Sequence, residues 1–302
     1  MGHAAKILAD SISPDGVRLT TFEVTFPRIV LAEWNTHRMF SRNSASSRAI
    51  PVEKMIKRVM EDPYVPSSWG KNQKGMQADV EVSAGDAAFA RVEWLLARDM
   101  AVQQASSMVK IGIHKQLTNR LLEPFMWHTV ICTSTEYANF FHLRDNAAAH
   151  PDIQTPARMM RELYEKHEPV AVGYNQWHMP LVPDAAAIAM AKPQGTSDMV
   201  DALCKISVAR CARVSYLTHD GQRDLQADID LYDRLLESGH LSPFEHVARP
   251  MTHDDFNDSQ RGVLYNEEIG LRPNDAFCGN LRGWVSCRKL IPHEADILGA
   301  RP

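Results

Sequence analysis

Long apolar segments are missing from this 302-residue sequence, and its amino terminus lacks the pattern of a signal peptide. Without either feature, a membrane-spanning or secreted protein is not expected. A formal net charge of −4 also argues against a nucleic-acid coat or a membrane-surface binder. We therefore expect a cytoplasmic protein (in the host cytoplasm if it is viral) that uses no membrane and does not bind nucleic acid directly.

Cysteine pairs and glycine-rich fingerprints are missing too. The five cysteines are an odd number without C-x-x-C spacing, which favours free or buried thiols over zinc sites and disulfides. None of the thirteen histidines forms H-E-x-x-H, so no metal site is predicted. No G-x-G-x-x-G occurs, and the segment 70–75, which begins like a P-loop, is followed by Met76 in place of lysine.

The composition that remains is that of an ordinary globular protein, with 44% hydrophobic and 23% charged residues. The apolar spacing predicts two strands within 6–32 joined by a turn at 13–16, a strand at 125–132, and helices at 52–61, 86–122, 137–144, 184–191, 197–213 and 224–237.

Local signals refine these elements. Thr133 and Glu136 have the spacing of a capping box for the helix at 137–144, Ser83 to Asp86 offer a cap for 86–122, and Gly239 is a stop signal. The helix at 86–122 carries an apolar stripe that is expected to face the core: Ala88, Phe89, Val92, Leu95, Leu96 and Met100.

Residues 34–48 form the most unusual segment of the chain. Three arginines, one histidine, two amides and four serines lie there between two apolar segments. Arginine forks grip phosphate in bidentate fashion, and serine hydroxyls with backbone N–H groups bind its other oxygens. The segment therefore predicts a phosphate site, with a solvated polar loop as the alternative.

Polar residues also interrupt apolar elements elsewhere. Asn139, His142 and Arg144 lie within a mostly apolar helix, so each is expected either to bond within the core or to face a cleft. Arg120 precedes Pro124 and is either a surface or a functional arginine. His240 follows the stop glycine and could cap the helix, and Glu245-His246 could be a strand-edge pair.

The motif His37-Arg38-x7-Ser46, followed by Arg48, resembles the Arg-His-Arg-x7-Ser signature of the flavin-dependent thymidylate synthases. Thr36, Ser44 and Ala49 stand where that family has Arg, Glu and Tyr. Other parts of the chain resemble further family motifs, which are Arg120-x3-Pro124, Asn139-x4-Arg144, Gln154 to Arg158, Ala212 to Tyr216 and Gly239 to His246. The family's fold implies an α+β chain in which an antiparallel or mixed sheet packs with helices.

The order of these motifs differs from that of the family. The segments 212–216 and 239–246 resemble the family's amino-terminal signature, yet they follow the arginine-rich segment. Circular permutation explains this order, and it predicts that residues near Val247 pair or align with residues 22–26. We expect one permuted catalytic domain over 1–302, comprising an arginine-loop and pyrimidine-helix half (1–165), a connection (166–196), the normally amino-terminal half (197–250) and a tail of unknown role (251–302).

The resemblance implies that methylene-tetrahydrofolate donates one carbon to C5 of dUMP, that reduced FAD donates the hydride, and that NADPH re-reduces the flavin. It implies catalytic roles for Arg144 and His240, and a homotetramer with shared sites. The substrate-binding residues it implies are Glu33, Ser44, Ser46, Ser47, Arg48, Arg120 and Arg144. The cofactor-binding residues it implies are Thr36, His37, Arg38, Asn43, Thr133, Thr135, Asn139, Ser242 and Glu245.

Two other functions stay open on the sequence. One is a sister enzyme that hydroxymethylates dUMP or dCMP at C5, with Thr36 and Ser44 marking the changed chemistry. The other is a non-catalytic flavin- or nucleotide-binding homologue, because Thr36, Thr133 and Thr135 replace residues that the family prefers. The other thymidylate synthase class attacks with the cysteine of a Pro-Cys pair, and this sequence has none.

Overall fold

The computed structural model describes residues 2–75, 77–182, 196–215, 225–259, 275–292 and 294. Its main sheet has five strands in the order β3-β4-β2-β1-β5. Their bounds are β1 Ala4–Ile12, β2 Arg18–Pro27, β3 Ser41–Ser44, β4 Trp127–Ser134 and β5 Val170–Ala171. The first four pair antiparallel, whereas β5 runs parallel to β1. The sheet is mixed, which confirms the α+β prediction.

Helices cover this sheet and extend beyond it. In chain order they are α1 Leu31–Asn35, α2 Val52–Glu61, α3 Ala84–Lys110, α4 Lys115–Thr118, α5 Ala138–Arg144, α6 Pro151–Lys166, α7 Thr196–Ala212, α8 Leu225–Glu237 and α9 His253–Ser259. Among the described residues, two small sheets pair β6 Ala248–Pro250 with β9 Trp284–Ser286, and β7 Phe277–Cys278 with β8 Leu281–Arg282. The helix predicted at 184–191 lies outside the described residues. No described helix is long and apolar enough to cross a membrane.

The two faces of β2 differ in character because side chains alternate along a strand. Phe22, Val24 and Phe26 face a core formed with α1, α5 and α6, where Trp34 and Phe140 are fully buried. Thr21, Glu23 and Thr25 point to the opposite face. The predicted hairpin of β1 and β2 is confirmed, and Gly16 adopts the positive φ of 78° that its turn requires.

The apolar stripe of α3 is exposed, so the prediction that it faces the core is wrong. Phe89 and Met100 are 66% and 64% exposed, and Val92 and Leu96 are also exposed. The helix instead packs through Trp94, Ala101, Val102 and Ala105 against α2 and the 3₁₀ turn Asn119–Phe125. The buried face of α3 thus consists of one tryptophan and small residues. A prediction from the spacing of large apolar residues does not detect such a face.

The capping box predicted at Thr133 is also wrong. Thr133 lies inside β4, and the following helix begins at Ala138 with Tyr137 as its N-cap residue. The hydroxyl of Thr133 is engaged instead by partners far along the chain, described below. Two other helix-end predictions are confirmed. The Ser83 side chain accepts from the backbone N–H of Asp86, and Gly239 ends α8 with φ of 68°.

The segment around Val247 does not pair with residues 22–26, contrary to the expectation from permutation. β6 pairs antiparallel with β9, and the strands beside β2 are β1 and β4. Ala248 nevertheless packs against Val17 and Leu19, at the other end of β2. The 239–250 segment therefore lies against the main sheet without joining it.

Candidate functional site

The arginine- and serine-rich segment 34–48 follows the edge of the main sheet. α1 ends at Asn35, and β3 follows as the outermost strand of the main sheet, next to β4. In the pairing of these two strands, Ser41 lies opposite Thr133. The Ser134 hydroxyl donates to the carbonyl oxygen of Met39 (3.1 Å). Because β3 is an edge strand, one side of this segment faces away from the sheet.

Arg144 meets the start of this segment. Its Nε donates to Nε2 of His37 at 2.8 Å, and its Nη2 donates to Oγ1 of Thr36 at 3.0 Å and to the carbonyl oxygen of Glu33 at 3.4 Å. We call these four residues the Arg144 cluster. The structure thus brings together residues for which the resemblance implied catalytic, cofactor-binding and substrate-binding roles.

Among the described residues, the hydrogen-bond partners of the Arg144 guanidinium are all neutral groups. Burial, followed by the nearby charges of Arg144 and Arg42, lowers the pKa of His37 to about 4, so this ring is neutral at physiological pH. In the described part of the chain, no carboxylate forms an ion pair with Arg144. Asp145, the next residue, is paired with Arg158 and Arg161. The buried carboxylate oxygen Oε2 of Glu33 has no hydrogen-bond partner among the described residues.

A second cluster forms around Glu123, at the other end of the segment. Oε1 of Glu123 accepts from Ser47 Oγ at 2.7 Å, from Arg120 Nη1 at 2.8 Å and from Arg28 Nη2 at 3.4 Å. We call these four residues the Glu123 cluster. Its two arginines share one carboxylate, so their charge is partly compensated.

Asn119 fixes the backbone of this part of the segment. Its Nδ2 donates to the carbonyl oxygens of Ser47 (2.7 Å) and Ile50 (2.9 Å), and the side chain is fully buried. Ser44 and Arg48 are exposed and Ser46 is half-buried on either side of buried Ser47. The predicted substrate-binding residues therefore fall into two groups, one at each end of the segment.

The predicted cofactor residues are more scattered. Arg38 and Asn139 are exposed, and the Asn43 side chain donates to the carbonyl oxygen of Cys211 at 3.4 Å. Oγ1 of Thr135 accepts from the backbone N–H of Arg282 at 3.1 Å. Arg38 and Asn139 are therefore available to a ligand, whereas Asn43 and Thr135 already form hydrogen bonds within the protein.

Ser242 and Glu245 lie in the 3₁₀ turn Ser242–Glu245, beside β3. Glu245 accepts from Arg288 Nη1 at 2.5 Å. A cavity of about 210 Å³ opens here, and its lining includes Ser41, Glu245, Ser286, Arg288 and Lys289. This places the motif at 239–246 next to the arginine-rich segment, although about two hundred residues separate them in sequence.

His240 is exposed, and its backbone caps a helix. Its N–H donates to the carbonyl oxygen of Leu235 at 2.9 Å, and the N–H of Gly239 donates to that of Leu236 at 3.1 Å. These are the two bonds of a Schellman motif at the end of α8. The capping interpretation of His240 thus has direct structural support, and a role beside the flavin stays a prediction.

A buried chain of hydrogen bonds joins the sheet to the 239–250 segment. Ser11 Oγ lies 2.9 Å from Nδ1 of His178, whose Nε2 lies 2.7 Å from Thr21 Oγ1. Thr21 Oγ1 lies 2.6 Å from Thr133 Oγ1, which lies 2.8 Å from Nδ1 of His246. We call these five residues the His246 chain.

Several of these residues were not predicted from the sequence. Glu123 could have been found from its i, i+3 spacing to Arg120, which allows a carboxylate–arginine contact. Asn119 and His178 carry no local signal, because each acts on residues distant in sequence. A cavity of about 430 Å³, lined by Glu23, Thr25 and Trp127 among others, contains none of the predicted site residues.

The profile of the Thy1 family, described as thymidylate synthase complementing protein, matches residues 17–170. This range contains the Arg144 and Glu123 clusters but not the motif at 239–246. A search of curated proteins finds no match.

Two solved structures that match are of the UMP/dUMP methylase PolB from Streptomyces cacaoi. The one bound with 5-Br UMP is 18% identical, with a TM-score of 0.45, and the match covers 54% of this chain and 89% of that chain. The one bound with 5-Br dUMP is 17% identical, with a TM-score of 0.44, and the match covers 54% and 90%.

Proposed function

Because the chain belongs to the flavin-dependent thymidylate synthase family, we propose that it methylates C5 of a pyrimidine nucleotide monophosphate. The specific reaction we propose converts dUMP to dTMP with methylene-tetrahydrofolate, FAD and NADPH. The observation that carries this proposal is the Arg144 cluster, in which the acceptors found among the described residues for a cation on an apolar helix are all neutral.

Arg144 suits the electrophilic part of this reaction. As C5 attacks the one-carbon donor, the electron density on the N3–C4–O edge of the pyrimidine changes. A guanidinium can form two hydrogen bonds to this edge and stabilise its charge. His37 holds the Nε atom of the guanidinium and Thr36 holds Nη2. Both neighbours are neutral, so they orient the guanidinium without cancelling its charge.

The Glu123 cluster supports a phosphate site for the same nucleotide. Ser47 and Arg120 both donate to Glu123, and Arg48 is exposed beside them. A phosphate dianion offers more acceptor oxygens than one carboxylate, so it can recruit Arg120 and Arg48 together. We propose that Ser46 and the backbone of the 3₁₀ turn Ser47–Ala49 complete this site.

The donor set available near the sheet edge fits FAD. Arg38 and Asn139 are exposed donors, and Ser242 is half-buried beside the 210 Å³ cavity, whose lining includes Arg288 and Lys289 together with Glu245. The hydroxyls of Thr133 and Thr135 are bound within the protein, so we assign them no direct contact. When bound and reduced, FAD supplies the hydride that completes the methyl group.

The decisive experiment is an FAD titration followed by turnover assays with dUMP and with dCMP. We expect flavin absorbance and fluorescence to change at micromolar protein, and dUMP to be methylated. Hydroxymethylated product, or turnover of dCMP alone, would indicate the sister enzyme instead. Flavin binding without turnover of either nucleotide would indicate a non-catalytic homologue, and absence of flavin binding contradicts the proposal.

We also propose a homotetramer with sites shared between subunits. The exposed apolar stripe of α3, which includes Phe89 and Met100, supports a surface covered by a second copy of the chain. Sedimentation should therefore show an oligomer, and Phe89→Lys should shift it toward smaller species. A monomer that turns over at full rate contradicts this proposal.

Residues 197–250 are proposed to replace the segment that other family members carry at the amino terminus. The contact of His246 with Thr133 and the packing of Ala248 against β2 support this. Replacing Ser242 by Ala should then weaken FAD binding, whereas Ser238→Ala at the end of α8 should not. Equal FAD affinity in both variants contradicts the permuted arrangement.

A further inference from the structure

The cavity of about 430 Å³ lies on the face of the main sheet that points away from the core formed with α1, α5 and α6. Glu23 and Thr25 of β2 and Thr129 of β4 line it, and they share this face because side chains alternate along each strand. We call it the Glu23 cavity. Its volume falls in the range of about 300–1,000 Å³ that small-molecule sites occupy.

Much of the lining of the Glu23 cavity is apolar. Five of its residues belong to one buried cluster beneath α2: Ile50, Met55, Val59, Phe125 and Met126. The indole of Trp127 lines the cavity as well. Aromatic and aliphatic walls of this kind suit a flat apolar ring, which can pack against them over a large area.

Glu23 supplies a carboxylate whose hydrogen bonding is incomplete. Its Oε1 lies 2.8 Å from Nζ of Lys6, whereas its buried Oε2 has no hydrogen-bond partner among the described residues. The Lys6 side chain is 59% exposed, so this ion pair is weak. A ligand that brings N–H groups to Glu23 would satisfy Oε2 and form a charge-assisted hydrogen bond.

The charges that line the cavity favour a cation. Among the described residues, the lining contains the three carboxylates of Glu23, Glu61 and Asp62 and the one guanidinium of Arg58. Burial lowers the pKa of His128, another lining residue, to about 3, so its ring adds no charge at neutral pH. A cationic ligand is therefore attracted to this cavity, and an anionic one is not.

Neutral polar groups on the same face can orient such a ligand. The Oγ1 atoms of Thr25 and Thr129 lie 2.9 Å apart, so one hydroxyl donates to the other and the second keeps its hydrogen for another acceptor. The indole Nε1 of Trp127 is buried and has no hydrogen-bond partner in the described part of the chain. Polar groups that are few and fixed are typical of small-molecule sites.

We propose that the Glu23 cavity binds a flat organic cation, namely an apolar ring that carries an amidine-type edge with two N–H donors. Such an edge forks across both oxygens of one carboxylate, as a guanidinium does. The ring packs against the apolar lining. None of the residues assigned above to the nucleotide or to FAD lines this cavity, so it is a separate ligand site that goes beyond the proposed function.

Benzamidine is the probe for this site, and benzamide is its matched control. The two molecules have the same shape, but benzamide is uncharged and places an oxygen where benzamidine has a second N–H donor group. Calorimetric titration of the full chain should give benzamidine a dissociation constant below about 1 mM, with benzamide at least about tenfold weaker. Equal affinities, or no binding of benzamidine, overturn the proposal, and this comparison needs no variant.

Three variants test whether Glu23 holds the cation. Glu23→Gln keeps the shape of the side chain but removes its charge, so benzamidine should bind at least about tenfold more weakly. Glu162→Gln, at an exposed position of α6, should change the affinity less than about twofold. Lys6→Gln breaks the same ion pair but frees Oε1, so it should bind benzamidine at least as tightly as the parent protein. Equal weakening in Glu23→Gln and Lys6→Gln would assign the loss to the broken ion pair and overturn the proposal.

A competition experiment tests whether the site is separate. FAD and dUMP are titrated with and without saturating benzamidine, and their affinities should agree within about twofold, because no residue is shared. Displacement of benzamidine by either ligand overturns the proposal of a separate site. Absence of FAD binding would contradict the proposed function alone, since the binding of benzamidine is measured without FAD.

Discussion

Two arginines of the candidate site differ in how their charge is met. Arg120 donates to Glu123, and the same carboxylate also binds Arg28 and Ser47. Arg144 donates to a neutral histidine, a hydroxyl and a carbonyl oxygen. An anion that binds Arg120 must compete with the carboxylate of Glu123. A carbonyl edge that binds Arg144 meets no competing ion pair within the part of the chain that the structure describes.

This difference indicates separate tasks for the two ends of the segment. A site that holds a strongly charged phosphate tolerates competition, because the phosphate outweighs one shared carboxylate. A site that responds to small changes of charge in a ring needs a cation whose field is not already cancelled. Substitutions at the two ends of the segment test whether Arg120 and Arg144 have these separate tasks.

The largest effect on turnover is expected at the Arg144 end of the segment. Replacing Arg144 by Ala should lower turnover by roughly 10²–10³-fold, the scale seen when one preorganised charge-stabilising donor is lost. FAD affinity should survive, because Arg38 and Asn139 are untouched. Arg144→Lys should rescue little, since a point charge cannot fork across two acceptors.

The control for this prediction is Arg161→Ala. Arg161 is an exposed arginine on α6 that pairs with Asp145, beside Arg144 in sequence. Its removal should leave turnover within about twofold, because surface ion pairs contribute little. Near-normal turnover of Arg144→Ala would mean that the active site lies elsewhere.

The next largest effect is a loss of stability, expected when the Glu123 cluster is disrupted. Glu123→Gln should lower the free energy of unfolding by about 1–3 kcal/mol, because it leaves the half-buried Arg28 without its carboxylate. Urea unfolding measures this, with Glu162→Gln on α6 as control. Glu162 forms an exposed i, i+4 pair with Lys166, so its change should be below about 0.5 kcal/mol. Equal losses in both variants would show that the Glu123 cluster does not hold the segment.

A smaller effect should appear as a dependence of stability on pH. The pKa of His37 is lowered to about 4 in the folded protein, so between pH about 6.5 and about 4 the unfolded chain binds a proton that the folded chain does not. Stability therefore falls as the pH falls through this window. The pKa values of His128, His178 and His246, each lowered to about 3 mainly by burial, act in the same direction.

His37→Gln should reduce this pH dependence, because glutamine can accept from Arg144 but does not titrate. Urea unfolding at pH about 7 and about 4.5 should show a smaller loss for the variant than for the parent protein. His142→Gln, at an exposed position of α5, is the matched control. An unchanged loss in His37→Gln would mean that this ring is protonated in the folded state.

The smallest effect is expected for Arg120→Ala. Arg120 is exposed and its partner Glu123 keeps Arg28 and Ser47, so stability should change by less than about 1 kcal/mol. Nucleotide affinity should fall less than turnover falls in Arg144→Ala. A loss of turnover as large as that of Arg144→Ala would remove the distinction between the two ends.

The sequence predicts those parts of the fold that depend on neighbours along the chain. The β1–β2 hairpin, α2 and the Ser83 cap follow from local periodicity and local donors. Thr133 shows where this reasoning ends. Its hydroxyl forms hydrogen bonds with residues 112 and 113 positions away, Thr21 and His246. Thr133 therefore lies in a strand, although its sequence context matches a capping box.

The candidate site divides in the same way. Arg144 and the segment 34–48 were predicted, because motif spacing singles out residue types suited to an anionic nucleotide. Motif spacing cannot show whether the charge of each arginine is compensated. That depends on Glu123 for Arg120 and on the neutral ring of His37 for Arg144. Those contacts join residues that only the folded sheet brings together.

The two hydrogen bonds from Asn119 to Ser47 and Ile50 also constrain the order of folding. They close loops of 72 and 69 residues, so the chain loses much conformational entropy before they form. Contacts of such long range slow folding relative to local ones. The serine-rich end of the segment should therefore become ordered only after the turn Asn119–Phe125 has docked, later than the β1–β2 hairpin.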